Sequence, residues 1–148
     1  MTREDHTMNH DRYTDDQLRH VLDSVKTIAV VGATADPAKP SFYVMKYLAD
    51  RGYRVIPVNP ALAGRTVLGQ QAYASLADLP ERADMVDIFR RPDAAGAVAV
   101  EAAERGIPFI WMQLGIRNDE AAARAEALGS TVIMDRCPMI EVPRLYAR

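Results

Sequence analysis

The sequence predicts an α/β protein with a three-layer, Rossmann-like, doubly wound and mostly parallel sheet that carries helices on both faces. Three observations predict this fold class. Short apolar runs rich in β-branched residues alternate with helical patterns between residues 27 and 135. Three of these runs begin just after a glycine that ends a helical segment, at Gly52, Gly106 and Gly129. The runs are apolar at almost every position, which is typical of strands buried on both faces of a parallel sheet.

Composition and charge exclude several function classes. The chain has 148 residues, of which 49% are hydrophobic, and a net charge of −2. No polybasic stretch suggests a nucleic-acid partner, and no apolar run approaches the ~20 residues of a membrane span. The polar N-terminus lacks the apolar segment of a signal peptide, and the lone Cys137 excludes an intramolecular disulfide framework. We therefore expect a cytoplasmic protein that binds neither nucleic acid nor membrane.

The domain organisation is simple. Residues 1–12 are polar and are expected to form a flexible tail, and residues 13–148 are expected to form one domain. His6 and His10 in the tail have helical spacing, but no further ligand lies near them, so we interpret them as solvated residues and predict no metal site. A capping box at Thr14 and Gln17 predicts the start of the first helix.

The strands follow in a regular order. We expect them at residues 28–31, 53–58, 66–68, 84–89, 107–114 and 130–135, separated by helices that include 92–105 and 119–128. Right-handed crossovers favour the strand order 3-2-1-4-5. The third strand has only three suitable residues, so we expect it to be short or irregular.

The first strand leads into a loop and helix suited to phosphate. Gly32 permits a tight turn, Thr34 offers a hydroxyl, and Lys39 and Ser41 stand where a helix opens near Pro40. The glycine spacing of a dinucleotide site is nevertheless broken, because Thr34 and Pro37 occupy the later glycine positions. This pattern favours a phosphorylated nucleotide other than NAD.

Two further loops are expected to meet the first one at the switch point of the sheet. Asn59 lies where a NAD enzyme would place an acidic residue, between prolines that make the loop rigid. Arg90 and Arg91 end the fourth strand and can contact phosphate, although pairing with surface carboxylates is the alternative. With Lys39 and Arg65 they suit a ligand that carries several phosphates.

These segments also carry a family resemblance. The runs VVGATADPAKPSFYVMKYL, GYRVIPVNP, YASLADLP, DMVDIFRRP, WMQLGI and MDRC occur in an order that resembles the stand-alone CoA-binding protein family. That family is similar to the nucleotide-binding domain at the start of the succinyl-CoA synthetase α subunit. The resemblance covers about residues 25–145 and implies a Rossmann-like fold with coenzyme A as its cofactor.

The resemblance also implies where CoA would lie. The pyrophosphate would lie on the first loop, the adenosine near the end of the second strand, and the pantetheine arm beside Gln113 and Gly115. Lys39 or an arginine would meet the 3′-phosphate. The predicted cofactor-binding residues are Gly32, Ala33, Thr34, Lys39, Pro40, Ser41, Val58, Asn59, Phe89, Arg90, Arg91, Gln113 and Gly115.

The expected function is therefore binding of CoA or an acyl-CoA without catalysis by this chain alone. The histidines all precede the first strand, and no acid–base or nucleophile constellation is recognisable. The alternatives are a nicotinamide-dependent oxidoreductase on the same fold, and a detached regulatory or partner subunit of a CoA-ligase-like complex. A homodimer is compatible with either.

Two single residues have two interpretations each. Cys137 is either a thiol that forms a mixed disulfide with CoA or a small apolar filler at a strand end, and the second is favoured. Trp111 is either a stacking platform for adenine or a core residue, and its place inside a central strand favours the core.

Overall fold

A five-stranded parallel sheet forms the centre of the molecule. The computed structural model describes residues 8–146. The strand order is β2-β1-β5-β6-β7 and every neighbouring pair is parallel. The strands are β1 (Thr27–Val31), β2 (Arg54–Val58), β5 (Met85–Ile88), β6 (Phe109–Met112) and β7 (Thr131–Ile133). The fold class predicted from the sequence is thus confirmed.

Helices cover both faces of this sheet. They are α1 (Asp15–Ser24), α2 (Pro40–Asp50), α3 (Pro92–Glu104), α4 (Asp119–Ala127) and α5 (Pro138–Tyr146). The predicted capping box starts α1, and Asn118 caps α4 by accepting a hydrogen bond from the Ala121 N–H. Gly52, Gly106 and Gly129 have positive φ angles after their helices, as the sequence predicts.

The core divides into two layers because side chains of a strand alternate between the two faces. On one face, Val30 and Trp111 pack with Leu18, Met45 and Val142 from α1, α2 and α5. On the other face, the alanines of α3 and α4 pack against the sheet. Small side chains let these two helices lie close to the strands and to each other.

The third predicted strand does not join this sheet. Residues 66–68 do form a short strand, β3 (Thr66–Val67), but it pairs antiparallel with β4 (Gln70–Gln71). Leu68 and Gly69 make the turn between them with φ angles of 51° and 78°. The strand order 3-2-1-4-5 is therefore wrong at its first position: the two short strands pair with each other, and beside β2 the chain makes only an isolated parallel bridge, between Tyr73 and Val58.

The C-terminal helix α5 has no counterpart in the sequence prediction. Pro138 opens it and Pro143 lies inside it, and this proline pattern masks the helical periodicity. Its buried residues Val142 and Leu145 complete the layer beside α1 and α2.

The N-terminal segment also differs from expectation in its described part. Residues 1–7 of the predicted tail, with His6, lie outside the described residues. His10, expected in solvent, has a side chain only 8% exposed and lies beside Glu126 of α4. Across residues 8–146, no helix combines the length and apolarity that a membrane crossing requires.

Asn118 offers a test of how α3 and α4 are held together. Its Oδ1 caps α4, and its Nδ2 donates to the Pro92 carbonyl at the start of α3 at 3.0 Å. We expect Asn118→Ala to lower the free energy of unfolding by about 2 kcal/mol, about half from the cap and half from the bond between the helices.

Urea denaturation followed by circular dichroism measures this change. Asn118→Ser is the matched control, because a serine keeps the capping oxygen and loses only the donor to Pro92. It should recover about half of the lost stability. Equal losses in the two variants would show that the cap itself contributes little.

Candidate functional site

The loop after β1 is shaped by its approach to β5. Gly32 has a φ of +90°, and a Cβ built on it would lie 2.3 Å from the Phe89 carbonyl oxygen. Its N–H donates to the Val58 carbonyl at 3.1 Å. The predicted tight turn at Gly32 is thus present, and it brings the ends of β1, β2 and β5 together. Ala33, which follows, is fully buried.

The rest of this loop leads directly into α2. The Thr34 hydroxyl accepts a hydrogen bond from the Asp36 N–H at 3.1 Å. Lys39 stands at the N-cap position without a side-chain cap, Pro40 is the first helical residue, and Ser41 is buried in the first turn. The N–H groups that open α2 are therefore not used by a capping side chain.

Asn59 connects the first loop to the second. Its Nδ2 donates to the Ala33 carbonyl at 2.8 Å, and its Oδ1 accepts from the Ala61 N–H at 2.9 Å. The amide therefore fixes the shape of the cleft from within the chain. Val58, the residue before it, is 2% exposed and ends β2 in the same wall.

A pocket of about 150 Å³ opens between these loops and α3. Its walls are aliphatic, from Val31, Val58, Leu76 and Val98. The rim is polar and includes Asn59, Ser75, Arg90 and Glu101. This volume is below that of a pocket for a whole nucleotide cofactor and suits one flat ring system. Ser75, Leu76 and Glu101 were not among the predicted site residues, since they lie on elements that the loop argument does not include.

Four basic side chains surround the carboxyl edge of the sheet. Lys39, Arg65, Arg90 and Arg91 are all exposed, and none forms an ion pair with another described residue. Arg91 also stands at the N-cap of α3, which has no side-chain cap. The alternative in which Arg90 and Arg91 pair with surface carboxylates finds no support in the described contacts.

Gln113 and Gly115 lie further along the edge, after β6. The Gln113 N–H donates to the Ile88 carbonyl at 3.2 Å, which extends the parallel ladder by one residue. Gly115 has a φ of +83°, and its N–H donates to Asp135 Oδ1 at 2.7 Å. Neighbouring strands are about 4.8 Å apart, so these residues border the end of the cleft opposite β2.

A carboxyl group lies buried beneath this edge. Asp87, in the middle of β5, is 0% exposed, and neither of its oxygens has a hydrogen-bond partner among the described residues. Burial raises the pKa of Asp87 to about 8, so the group is mainly neutral near pH 7. Gln113 Oε1 is buried without a partner as well. The sequence analysis missed Asp87, although a charged residue inside the apolar run DMVDIF is a recognisable signal.

Trp111 and Cys137 both lie in the core. Trp111 is fully buried, as the core interpretation requires, and its Nε1 donates to the Arg136 carbonyl at 2.9 Å. Cys137 is 7% exposed and packs in the layer beneath α1, α2 and α5. Among residues 8–146, no three His, Cys, Asp or Glu side chains are grouped so as to hold a metal ion.

A wider groove of about 470 Å³ runs between α3 and α4. Its polar residues are chiefly carboxylates, Asp93, Glu101, Glu104 and Glu120. These charges repel a polyanion, so volume alone does not identify the ligand cleft. The smaller pocket shares Glu101 with this groove but has Arg90 on its rim, so it is the better candidate for a phosphorylated ligand.

Comparison with known families identifies the family of the chain. The family described as "CoA binding domain" matches residues 26–143. The chain belongs to this family. The match includes β1 to β7 and every predicted site residue.

The relatives divide into small proteins and segments of larger ones. The uncharacterized protein YneT of Bacillus subtilis is 39% identical over 121 residues, which cover 82% of this chain and 88% of YneT. The structure of ID.343 from Thermus thermophilus has a TM-score of 0.85 and 42% identity, with 90% of this chain and all of that chain covered. The α subunit of ADP-forming acetate–CoA ligase I from Pyrococcus furiosus is 29% identical over 113 residues. That match covers 72% of this chain but only 24% of the subunit.

Gly32 of this CoA-binding-domain protein provides a test of the cleft's backbone. We expect Gly32→Ala to destabilise the fold, because the new Cβ would meet the Phe89 carbonyl and the φ of +90° is strained for alanine. Gly64→Ala is the matched control: Gly64 has a similar φ of +82° but open space around it. Thermal denaturation should show a clearly larger loss for Gly32→Ala, and equal losses would mean that the close approach is unimportant.

The buried Asp87 provides a second test, because it makes the stability of the protein depend on pH. The folded carboxyl keeps its proton up to about pH 8, whereas an unfolded aspartate loses it near 3.8. This contribution to stability is therefore greatest at low pH and declines between about pH 4 and pH 8. We expect Asp87→Asn to remove that decline, so that the variant loses less stability than the wild type as the pH rises across the window.

Urea unfolding at pH 5 and pH 7.5 measures the effect. The other titrating groups are common to both proteins, so the difference between the two pH slopes isolates Asp87. Parallel curves for the wild type and Asp87→Asn would show that the carboxylate is ionised in the folded protein.

Proposed function

We propose that this protein binds coenzyme A or an acyl-CoA along the carboxyl edge of its sheet, and that it does so without catalysis by this chain alone. The observation that carries the proposal is the pair of helices that begin at the switch point. The starts of α2 and α3 follow β1 and β5, and neither N-cap side chain caps its helix, although Asp93 Oδ1 accepts from the Ala94 N–H in the first turn of α3. The starts of α1 and α4 are both capped. Free N–H groups at a helix start favour an anion.

The unpaired cations support a ligand with several phosphates. Lys39 and Arg91 stand at these two helix starts, and Arg90 borders the same cleft. Exposed cations elsewhere, such as Arg51 and Arg124, are also without an ion pair among the described residues, so the support comes from the positions of Lys39, Arg90 and Arg91. Coenzyme A has a pyrophosphate and a separate 3′-phosphate, so it needs more cationic contacts than a dinucleotide does.

The pocket supports the adenine end of the same ligand. The aliphatic side chains of Val58 and Val98 in this pocket can contact a purine, and Ser75 and Glu101 at its rim offer hydrogen-bonding groups. NAD is a poorer fit. Asn59 occupies the position of the acidic residue that binds the ribose hydroxyls, and its amide is already bonded to Ala33 and Ala61.

The absence of a catalytic role is part of the proposal. Asp87 is the buried carboxyl with a raised pKa, but it is fully enclosed and cannot transfer a proton to a bound substrate directly. His20 is exposed on α1 and lies against Phe109 at the amino end of β6, the end opposite the cleft, and His10 is paired with Glu126. We propose a carrier or sensor of CoA, with a cytoplasmic location.

A second candidate is a partner subunit of a CoA-ligase-like complex. The similarity to an acetate–CoA ligase α subunit favours it. Exposed apolar side chains near the carboxyl edge, Leu114, Met139 and Ile140, also favour contact with another chain. Size-exclusion chromatography of the endogenous protein would detect a stable complex, and a monomer or a homodimer alone would count against this candidate.

Calorimetric titration tests the binding proposal. We expect CoA and acetyl-CoA to bind tightly, dephospho-CoA to bind more weakly because it lacks the 3′-phosphate, and NAD and ATP to bind poorly. NAD binding in the absence of CoA binding would overturn the proposal and favour an oxidoreductase.

Arg90→Ala tests whether Arg90 contacts the phosphates of CoA. We expect it to weaken CoA binding by about tenfold or more, the equivalent of one charge-assisted hydrogen bond to phosphate. Arg82→Ala is the matched control, since Arg82 is an exposed arginine at the opposite end of β5 that donates to the Gly106 carbonyl. If Arg90→Ala binds CoA as tightly as Arg82→Ala does, Arg90 is not part of the site.

A further inference from the structure

Residues 8–13 form a clasp against α4 and the end of β7; this segment is called the N-terminal clasp below. The Met8 N–H donates to Glu126 Oε2 at 3.2 Å, and His10 Nε2 lies 3.2 Å from the same oxygen. Glu126 is only 2% exposed. A buried carboxylate needs such partners, so the clasp and α4 depend on each other.

Arg117 holds the clasp from the outside. Its guanidinium donates to the His10 carbonyl at 3.1 Å and lies 3.0 Å from Asp11 Oδ1. It also bonds Asp119 at 2.6 Å, and this hydrogen bond lowers the pKa of Asp119. The clasp is therefore tied to the loop before α4 as well as to the helix itself.

A directed chain of hydrogen bonds runs from the clasp to the carboxyl edge. The Met134 N–H donates to the Tyr13 hydroxyl at 2.9 Å, so the Tyr13 O–H is free to donate to His10 Nδ1 at 2.6 Å. His10 then carries its proton on Nε2, which faces Glu126. Every polar group in this chain has a partner. Arg136 adds a cation–π contact, 4.9 Å from the centre of the Tyr13 ring.

Met134 leads into the loop that joins β7 to α5. The next residue, Asp135, has a φ of +58°, which is strained for a residue other than glycine. Its N–H donates to the Ile116 carbonyl at 3.0 Å, and its Oδ1 accepts from the Gly115 N–H at 2.7 Å. The loops 113–117 and 134–137 thus form one connected wall, and Tyr13 holds it at Met134.

We propose that Tyr13 is a positioning residue for this wall, and through it for the pantetheine arm of the ligand. The inference rests on the proposed function. The pocket for the ring lies at β2, β1 and β5, whereas Gly115 and Asp135 follow β6 and β7, about 10 Å further along the edge. A change in the clasp should therefore affect the binding of the pantetheine arm of CoA and leave the binding of its nucleotide end unaffected.

Tyr13→Phe tests this inference because it removes the hydroxyl and keeps the ring beneath Arg136. We expect CoA to bind about five- to tenfold more weakly, the equivalent of one lost hydrogen bond in the wall. Adenosine 3′,5′-bisphosphate, which has the nucleotide end without the arm, should bind as it does to the wild type. Calorimetry with both ligands makes the comparison.

Tyr53→Phe is the matched control. Tyr53 is also half-buried, and its hydroxyl donates to the Leu22 carbonyl at 2.7 Å, at the amino end of the sheet. It should affect stability without affecting either ligand. His10→Gln is the second variant: its amide keeps a donor toward Glu126 and removes the acceptor for Tyr13, so it should show the same selective loss.

Three outcomes would overturn the inference. Tyr13→Phe and His10→Gln could bind CoA as the wild type does, which would leave the wall independent of the clasp. Both ligands could weaken equally, which would indicate a general loss of structure. A wild-type protein that binds the bisphosphate and CoA equally well would show that the arm is not held. A wild-type protein that binds neither ligand would instead refute the proposed function on which the inference rests.

Discussion

The loop that follows β1 passes so close to the end of β5 that only a hydrogen atom fits on Gly32 beside the Phe89 carbonyl. The N–H of Gly32 is at the same time bonded to the end of β2. Three strand ends are therefore fixed relative to one another by one residue without a side chain. This contact sets the positions of the starts of α2 and α3, of the Asn59 amide and of the pocket between them. Each of these features lies close in the chain to one of the strand ends that the contact fixes.

Asp87 shows a different constraint directly beneath the same edge. It pairs in register with Val30 and Trp111, on a face where its neighbours are apolar. Neutralising the carboxyl costs less than burying a charge, yet a leucine or valine would serve the packing better. Asp87, at the centre of the sheet, therefore lowers the free energy of unfolding, and the loss becomes larger as the pH rises. Gln113 lies two residues beyond Trp111 on the neighbouring strand, and its Oε1 is also buried without a hydrogen-bond partner among the described residues. Buried polar atoms without partners therefore continue from Asp87 toward the cleft.

The sequence predicted most of the fold because its signals are local. The capping box at Thr14, the glycines after helices and the apolar strands each act within a few residues, and the structure contains them all. Long-range features were missed. The β3–β4 hairpin leaves the sheet although its residues resemble a strand, and two prolines conceal α5. The site residues remain predictions, but their loops do meet at one edge, as the switch-point rule requires.

The two ends of the cleft are thus built in different ways. The end at which we propose that the phosphates bind depends on contacts between residues that follow adjacent strands, and its pattern can be read from runs such as VVGATADPAKPS and IFRRPD. The other end depends on Tyr13, which lies 121 positions before Met134 and precedes the first helix. No periodicity or spacing links such residues, and a polar segment with two histidines is typical of a solvated tail. Because the buried Glu126 requires partners, the segment is drawn onto α4, and the wall at Asp135 and Gly115 is held as a consequence.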